Sequence, residues 1–386
     1  MKPKPLVSII ILSYKNYHYI YETLASVLSQ DYDTIEIVVS NDGSDDFDKT
    51  AVNKYLQKNK KSNIKNIVIN NNSKNLGTVK NINKAIKLSK GEYIIMIAAD
   101  DVMYENKTTT KLINAFNTLP KNELIVISQV GMYDINLKKL IQLFLPQKFK
   151  EKIKNLPPQK LFAEMSNQCI LPGCGICYKR EIFKKYGYFD EKYVLVEDYS
   201  SALKLSRLGI KYNFFDFISC KHRDGGISHG NINGENKVGQ QYELDILNIF
   251  KNEVFPYLNL LTPKQKDIFL KTYKYHEWKY LYNYKYKNGT KTEKRKFVLE
   301  NFNTIKNSFF DEFFRDIKDQ FKGKKFKIFL LGLIIFVINY FKILNIFYSL
   351  IMFFGLFLII ISFLLTINYF IKKYFLRIYQ FIKIFL

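Results

Sequence analysis

The chain has 386 residues, and 59 Lys and Arg against 35 Asp and Glu give it a formal net charge of +24 at pH 7. Hydrophobic residues make up 47% and aromatic residues 16% of the sequence, which excludes general disorder, and the length excludes a small disulfide-stabilised protein. The positive charge indicates anionic partners, and phosphorylated ligands, nucleic acid and an anionic membrane surface all remain open.

The first 130 residues alternate between short apolar runs and helical patterns. The apolar runs predict β-strands at residues 7–12, 35–39, 67–69, 93–97 and 124–130. Between them, apolar positions recur with the helical period in residues 20–28, 79–86 and 112–119. This alternation predicts a doubly wound α/β domain, in which ligands bind beyond the carboxyl ends of the strands.

Polar residues follow three of the predicted strands at that point. They are Ser13-Tyr14 after the first strand, Asn41-Asp42 after the second and Asp100-Asp101 after the fourth. No Gly-x-Gly-x-x-Gly follows the first strand, and no Gly-Lys-Ser/Thr loop occurs, so neither common phosphate-binding loop accounts for the crevice. The carboxylates favour a divalent metal whose coordination shell a ligand diphosphate completes.

The middle of the chain is more irregular and then becomes basic. In residues 131–230 the clearest signal is Glu197-Asp198, which opens a short helix that ends near Gly209. Residues 240–320 look helical, and Lys and Arg are interleaved there with Tyr and a single Trp, Trp278. This composition suits an anionic bilayer surface, and single-stranded nucleic acid is the competing interpretation.

The C-terminal part carries a membrane signal. From residue 328 to residue 371 the only Lys, Arg, Asp or Glu is Lys342, and basic residues flank the run on both sides. Since one crossing needs about 20 helical residues, the pattern favours a hairpin of two helices that turns near residues 342–345. The alternative, a soluble buried helix pair, would need a partner that covers every helix face.

The four cysteines favour a reducing compartment, because they are too few for a disulfide framework in a chain of this length. Cys174-x-x-Cys177, with Cys169, Cys220 and His222, suggests a zinc site, but the spacing is not that of a standard finger or ribbon. Buried structural thiols are the alternative.

An ordered series of motifs resembles the family 2 inverting glycosyltransferases over roughly residues 5–230. The matching segments are residues 7–16, 22–30, 41–44, 75–77, 80–81, 91–93, 100–101, 187–191 and 197–198. The resemblance implies the GT-A fold, a Rossmann-like mixed sheet with helices on both faces that binds a nucleoside-diphosphate sugar. The predicted domains are residues 1–235 for catalysis (1–130 for the nucleotide sugar, 131–235 for the acceptor), a helical basic and aromatic juxtamembrane region at 236–325, and a membrane segment at 326–386.

The resemblance also assigns roles to residues. Asp198 matches the catalytic base, with Glu197 beside it, and Asp100 and Asp101 match the element that holds Mn²⁺ or Mg²⁺. Nucleotide-sugar contacts are implied for Ser13, Tyr14, Asn41, Asp42, Lys80, Asp100, His222 and Arg223. Ala98 and Asn41 stand where the family commonly has carboxylates.

The resulting expectation is a metal-dependent inverting glycosyltransferase at the cytoplasmic face of the inner membrane. Its donor would be a nucleoside-diphosphate sugar and its acceptor a membrane-bound or lipid-linked glycan of capsule, lipopolysaccharide or wall polysaccharide assembly; no nucleic-acid partner is expected. The Gln-x-x-Arg-Trp motif of processive synthases is absent, which favours single-sugar addition. The alternative is a non-catalytic GT-A-like protein whose basic aromatic region binds membrane or nucleic acid.

Overall fold

The computed structural model describes residues 4–225 and 237–285, together with residues 289, 290, 293, 296, 297 and 300. The chain divides into two compact units, Met1–Tyr280 and Leu281–Leu386. The predicted membrane segment at residues 326–386 lies outside the described residues, and no helix in the described part is long and apolar enough to cross a membrane.

One mixed sheet of nine strands runs through the described part of the first unit. The strands are β1 (Val7–Ser13), β2 (Ile35–Asn41), β3 (Ile64–Asn71), β4 (Tyr93–Ala98), β5 (Val102–Met103), β6 (Ile125–Tyr133), β7 (Leu140–Leu143), β8 (Ile176–Lys179) and β9 (Asn213–Arg223). Their order is β3-β2-β1-β4-β8-β6-β9-β5, and β7 pairs with β6. Strands β1 to β4 are parallel to their neighbours among themselves, whereas β8 runs antiparallel to both β4 and β6. The predicted mixed α/β sheet is therefore confirmed, and the five predicted strands correspond to β1, β2, β3, β4 and β6.

Helices connect and cover these strands. They are α1 (Ile20–Leu28), α2 (Lys49–Asn59), α3 (Thr78–Leu88), α4 (Thr108–Asn117), α5 (Gln147–Asn155), α6 (Pro158–Met165), α7 (Glu181–Tyr186), α8 (Glu197–Arg207), α9 (Lys237–Ile249) and α10 (Pro263–Tyr280). Short 3-10 or π segments lie at Tyr17–Tyr19, Phe250–Val254, Phe255–Leu260 and Leu281–Lys285. The three predicted helices correspond to α1, α3 and α4. Helix α2 escapes the periodicity argument because only Val52 and Leu56 are buried along it.

The two faces of the sheet carry separate apolar cores. Successive residues of β1 alternate between them, so that Ile10 joins one core while Ile9 and Ile11 join the other. Helix α3 packs on the face of Ile10, and α1 and α4 pack on the opposite face. The expectation of helices on both faces is confirmed.

Helices α9 and α10 pack against the core of the first unit. Ile246, Ile249, Phe250 and Phe269 are buried there in the same core that includes Ile10. This stretch lies in the region that the sequence suggested as juxtamembrane, from residue 236 onward. Part of the predicted juxtamembrane region is thus used for intramolecular packing, with Phe269 the one buried residue of α10.

Candidate active site

The carboxyl ends of β1, β2 and β4 lie side by side. Ser13 at the end of β1 pairs with Asn41 at the end of β2, and Leu12 pairs with Ala98 at the end of β4. The backbone N–H of Asp42 donates to the carbonyl of Ser13 at 2.8 Å. The alignment follows from the in-register pairing of three buried parallel strands, and it creates one edge, called here the donor edge.

The loop after β1 is tied to its neighbours by Asn16, which the sequence argument did not select. Its side-chain oxygen accepts from the Ser13 hydroxyl at 3.0 Å and from the Tyr14 N–H at 3.1 Å. Its amide nitrogen donates to Asp100 at 3.3 Å. Asn16 therefore links the end of β1 to the acidic loop after β4, and Tyr14 is half-buried between them.

Asp42 is a buried carboxylate that supports the start of α3. One oxygen accepts from the Leu76 N–H and from Asn72, and the other accepts from the Gly77 N–H at 2.9 Å. Gly77 has a φ of +90°, and a Cβ at this position would lie 2.6 Å from the side chain of Val194. Both oxygens of Asp42, which the resemblance assigned to the nucleotide sugar, therefore accept hydrogen bonds from within the chain.

Asn41 and Lys80 are placed very differently. Asn41 is fully buried, and with its amide oxygen turned to the following bend it accepts from the Ser44 N–H at 3.0 Å. An aspartate could make the same contact, so the departure from the family pattern is conservative in geometry. Lys80 is exposed in the first turn of α3, which Asp42 supports through Gly77.

The two aspartates after β4 differ in their surroundings. Asp101 is 1% exposed; one of its oxygens accepts from the backbone N–H of Arg223 at 2.9 Å, and the other lies 2.8 Å from Nδ1 of His222. Asp100 is half-buried, and burial together with the charge of Asp101 raises its pKa. Asp101 therefore anchors β9, while Asp100 is the more accessible carboxylate.

The guanidinium of Arg223 is used within the fold. It donates to the carbonyls of Asp100 and Ile135 and to the carboxylate of Glu22, and it lies 3.9 Å from the centre of the Tyr19 ring. The side chain is only 3% exposed. These contacts join β9 to the residues at the start of α1 and to the acidic loop.

Three further groups surround Asp101. His222 is hydrogen-bonded to the Asp101 carboxylate and to the Cys174 thiol, and Cys174 is hydrogen-bonded to Cys220. Burial lowers the pKa of His222, but its hydrogen bonds to Asp101 and Cys174 outweigh this effect and raise the pKa to about 11. Hydrogen bonding to Cys220 and His222 lowers the pKa of the Cys174 thiol to about 7. Cys177 lies fully buried on β8 and is not part of this group. The Cys-x-x-Cys spacing therefore pairs Cys174 with a cysteine that does not belong to the cluster.

The carboxylates Glu197 and Asp198 lie in the first turn of α8. Both are half-buried; burial and the charge of Asp198 raise the pKa of Glu197 to about 8, and burial raises that of Asp198. Opposite them is Gly173, where a Cβ would come within 3.0 Å of an Asp198 carboxylate oxygen. Since Cys174 is the next residue and reaches Asp101, one turn connects the predicted base with the donor edge.

The segment before α8 is held by Asp245, which the sequence argument also missed. One oxygen of this fully buried carboxylate accepts from the backbone N–H groups of Val194, Leu195 and Val196, at 2.8, 2.6 and 3.3 Å. No sequence signal indicated this role, because Asp245 belongs to no motif and lies in α9, 47 residues after Asp198.

A mixed α/β sheet with polar residues gathered at the carboxyl edge of its parallel strands places a candidate ligand site where open α/β sheets bind their ligands. Residues 8–187 match the family model described as Glycosyl transferase family 2. This match covers just under half of the chain, and it makes residues 8–187 similar to glycosyltransferase family 2.

Individual relatives agree with the family match. An uncharacterized glycosyltransferase of Rickettsia typhi is 31% identical over 208 residues, which are 54% of this chain and 61% of the relative. The Escherichia coli UDP-Glc:alpha-D-GlcNAc-diphosphoundecaprenol beta-1,3-glucosyltransferase WfaP is 29% identical over 218 residues, 56% of this chain and 77% of the relative. The matched region thus spans about three fifths of the Rickettsia typhi relative's length.

Two solved structures are also similar. Staphylococcus aureus TarS, residues 1–349, has a TM-score of 0.49 at 18% identity, with 76% of this chain and 78% of that chain covered. The mannosyltransferase PcManGT of Pyrobaculum calidifontis, in complex with GDP-Man and Mn²⁺, has a TM-score of 0.48 at 15% identity, with 71% of this chain and 70% of that chain covered.

Proposed function

We propose that this protein is a metal-dependent inverting glycosyltransferase that moves a sugar from a nucleoside-diphosphate sugar to a membrane-bound or lipid-linked glycan. The observation that carries the proposal is the turn at residues 172–175. A Cβ on Gly173 would stand 3.0 Å from a carboxylate oxygen of Asp198, and the sulfur of the next residue, Cys174, lies within 4.8 Å of an Asp101 oxygen. A carboxylate suited to act as a base is therefore next to an edge suited to bind a nucleotide.

The chemistry assigned to Asp198 is proton acceptance. In an inverting transfer, the acceptor hydroxyl gives its proton to a carboxylate while its oxygen bonds to the anomeric carbon and the bond to the diphosphate breaks on the opposite face. Because the pKa of Glu197 is raised to about 8, this neighbour is largely protonated at neutral pH. The pair would then carry one negative charge, and we assign that charge to Asp198, which accepts a 2.7 Å bond from the Tyr199 N–H.

The residues after β4 fit a hard divalent cation. Asp100 offers a half-buried carboxylate at the donor edge, and oxygen ligands are those that Mg²⁺ and Mn²⁺ prefer. Asp100 would be the principal ligand, with Asp101 behind it. When bound, the ion supplies positive charge that stabilises the departing diphosphate.

The partners follow from charge, composition and relatives. A relative's name specifies a UDP-glucose donor and an undecaprenol-linked acceptor, which supports a lipid-linked acceptor here. The basic and aromatic residues of α10 and the apolar run at 328–371 support attachment to the cytoplasmic face of the inner membrane. Attachment would raise the local concentration of a membrane-bound acceptor.

The test measures thermal stability of the full chain with a panel of nucleoside diphosphates, with and without Mn²⁺. A ligand at about 100 times its dissociation constant should stabilise the protein by roughly 2.7 kcal/mol. We expect one nucleotide to do so only with Mn²⁺, and we expect Asp100→Ala to abolish the effect. The control is Asp33→Ala, a surface carboxylate paired only with Lys4. If no nucleotide stabilises the wild type with any metal, the non-catalytic alternative replaces this proposal.

A further inference from the structure

Two thiols, a carboxylate and an imidazole gather beside the donor edge. The sulfur atoms of Cys174 and Cys220 and one oxygen of Asp101 all lie within 4.8 Å of one another. His222 is bonded to both Asp101 and Cys174. Among the residues that the structure describes, no other three His, Cys, Asp or Glu side chains converge in this way.

The spacing is close to that of a tetrahedral metal site. Zinc binds sulfur at about 2.3 Å and nitrogen or oxygen at about 2.0 Å, so neighbouring ligand atoms stand roughly 3.3–3.8 Å apart. The three atoms would need to approach one another by only about 1 Å. Asp101 and Cys220 are fixed by burial, whereas Cys174 is half-buried in a turn between Gly173 and Gly175 and can make that adjustment.

We propose that Cys174, Cys220 and Asp101 form a binding site for a thiophilic divalent cation such as Zn²⁺, with His222 beside them as a hydrogen-bond partner of Asp101 and Cys174. The ligand types separate this site from the one proposed for Mn²⁺ or Mg²⁺ at Asp100, because thiolates select softer ions. Binding displaces the thiol protons to solvent. Since Asp101 would serve both sites, a bound Zn²⁺ draws this carboxylate towards the sulfur atoms and away from Asp100.

No local sequence pattern contains all of these residues. Cys174 comes from the turn before β8, Cys220 and His222 come from β9, and Asp101 follows β4. Strand pairing joins these segments, since β9 pairs with β5 directly after Asp101, with Cys220 opposite Met103. The fold therefore assembles a donor set that the Cys-x-x-Cys spacing does not predict.

The experiment titrates the reduced full chain with Co²⁺ and follows the sulfur-to-cobalt charge-transfer absorption in the near ultraviolet. We expect the band to form in the wild type, to disappear when Zn²⁺ is added, and to lose affinity by at least about tenfold in Cys174→Ser and Cys220→Ser. Cys169→Ser and Cys177→Ser are matched controls, because Cys169 is half-buried like Cys174 and Cys177 is buried like Cys220. Both controls should keep the band.

Two results overturn the proposal. One is the absence of a thiolate band in the wild type. The other is an undiminished band in Cys174→Ser, because a site that uses this sulfur must lose affinity without it. Cys174 is half-buried in a turn, so the substitution should leave the chain folded. Should Cys220→Ser unfold, the wild-type titration and Cys174→Ser still decide. The band does not depend on nucleotide, so failure of the transferase proposal would leave this result unaffected.

Discussion

The donor edge and the helix that carries the predicted base are held in place by different means. At the donor edge, neighbouring parallel strands align Ser13, Asn41 and Ala98 through their register. The segment before helix α8 is held instead by hydrogen bonds from other helices, above all those that the buried carboxylate of Asp245 in α9 accepts from its backbone N–H groups.

The two regions meet at Val194. Its carbonyl accepts from the Val79 N–H at 3.1 Å, and its side chain packs where a Cβ on Gly77 would stand. Gly77 is in turn held by Asp42 at the end of β2. Substitutions at the donor edge should therefore affect mainly donor binding, and substitutions that disturb helix α8 should affect mainly turnover. Val194 contacts both regions and couples them.

The largest expected effect separates chemistry from binding. Asp198→Asn removes the proton acceptor but keeps the shape, so transfer should fall by about 10³-fold, within the range of general-base catalysis. The free energy of unfolding should not fall, because a buried charge is removed. Turnover of a labelled sugar donor measures the first quantity. Donor-induced stabilisation should be unchanged, and its loss would show that Asp198 belongs to the donor edge instead.

A second variant tests the support of α8. In Asp245→Asn the oxygen that accepts from the three N–H groups becomes a neutral amide oxygen, which is a poorer acceptor, and we expect the free energy of unfolding to fall by about 1–3 kcal/mol. The turnover number should fall more than the donor affinity, because the displaced segment leads to Asp198. Asp267→Asn is the control, since that carboxylate is exposed and pairs with Lys271 on the same helix. Equal losses in turnover and in donor affinity would contradict the separation.

A third variant tests the donor edge. Asp42→Asn leaves one oxygen to serve the N–H groups of Leu76 and Gly77, and the expected loss of stability is about 1–2 kcal/mol. Nucleotide-induced stabilisation should weaken, whereas turnover at saturating donor should be nearly retained. Denaturant unfolding and the thermal assay measure these two quantities. A fall in turnover with unaltered nucleotide affinity would reverse the roles given to the two regions.

The sequence predicts the donor edge well because its signals are local. Strands β1, β2 and β4 are continuous apolar runs, and their polar endings at Ser13, Asn41 and Asp100 fall at the edge where parallel strands must meet. Strands β5, β7, β8 and β9 were not predicted. Strand β9, for example, alternates polar and apolar residues irregularly through Asp216 and Lys221, and register shifts interrupt its pairing with β6.

The support of the site could not be predicted, because it depends on distant residues. Asp245 belongs to no motif, and Asn16 and Glu22 lie in matching segments without an assigned role; only the folded chain shows that these residues hold the segment before α8, the acidic loop and Arg223. The roles of Arg223 and Asp42 illustrate the same limit. A resemblance assigns them to the ligand, but their hydrogen bonds in the fold are made to other parts of the chain.

The smallest expected effect is a pH dependence that belongs to the first turn of α8. The folded-state pKa of Glu197 is raised to about 8, above the ordinary value of 4.5. The folded protein thus binds more protons than the unfolded chain between these values, so this group's contribution to stability is fully present below pH 4.5 and is lost as the pH rises towards 8.

Glu197→Gln should remove the part of the pH-dependent loss of stability that comes from Glu197. Denaturant unfolding at a series of pH values would measure this difference. The raised pKa of His222 also lowers stability as the pH rises above about 6.5, but it does so in the wild type and the variant alike, so their difference isolates Glu197. Glu151→Gln, an exposed carboxylate on α5, is the control and should follow the wild type. Parallel curves for the wild type and Glu197→Gln would mean that Glu197 is already ionised at neutral pH, and the single negative charge assigned to Asp198 would then have to be abandoned.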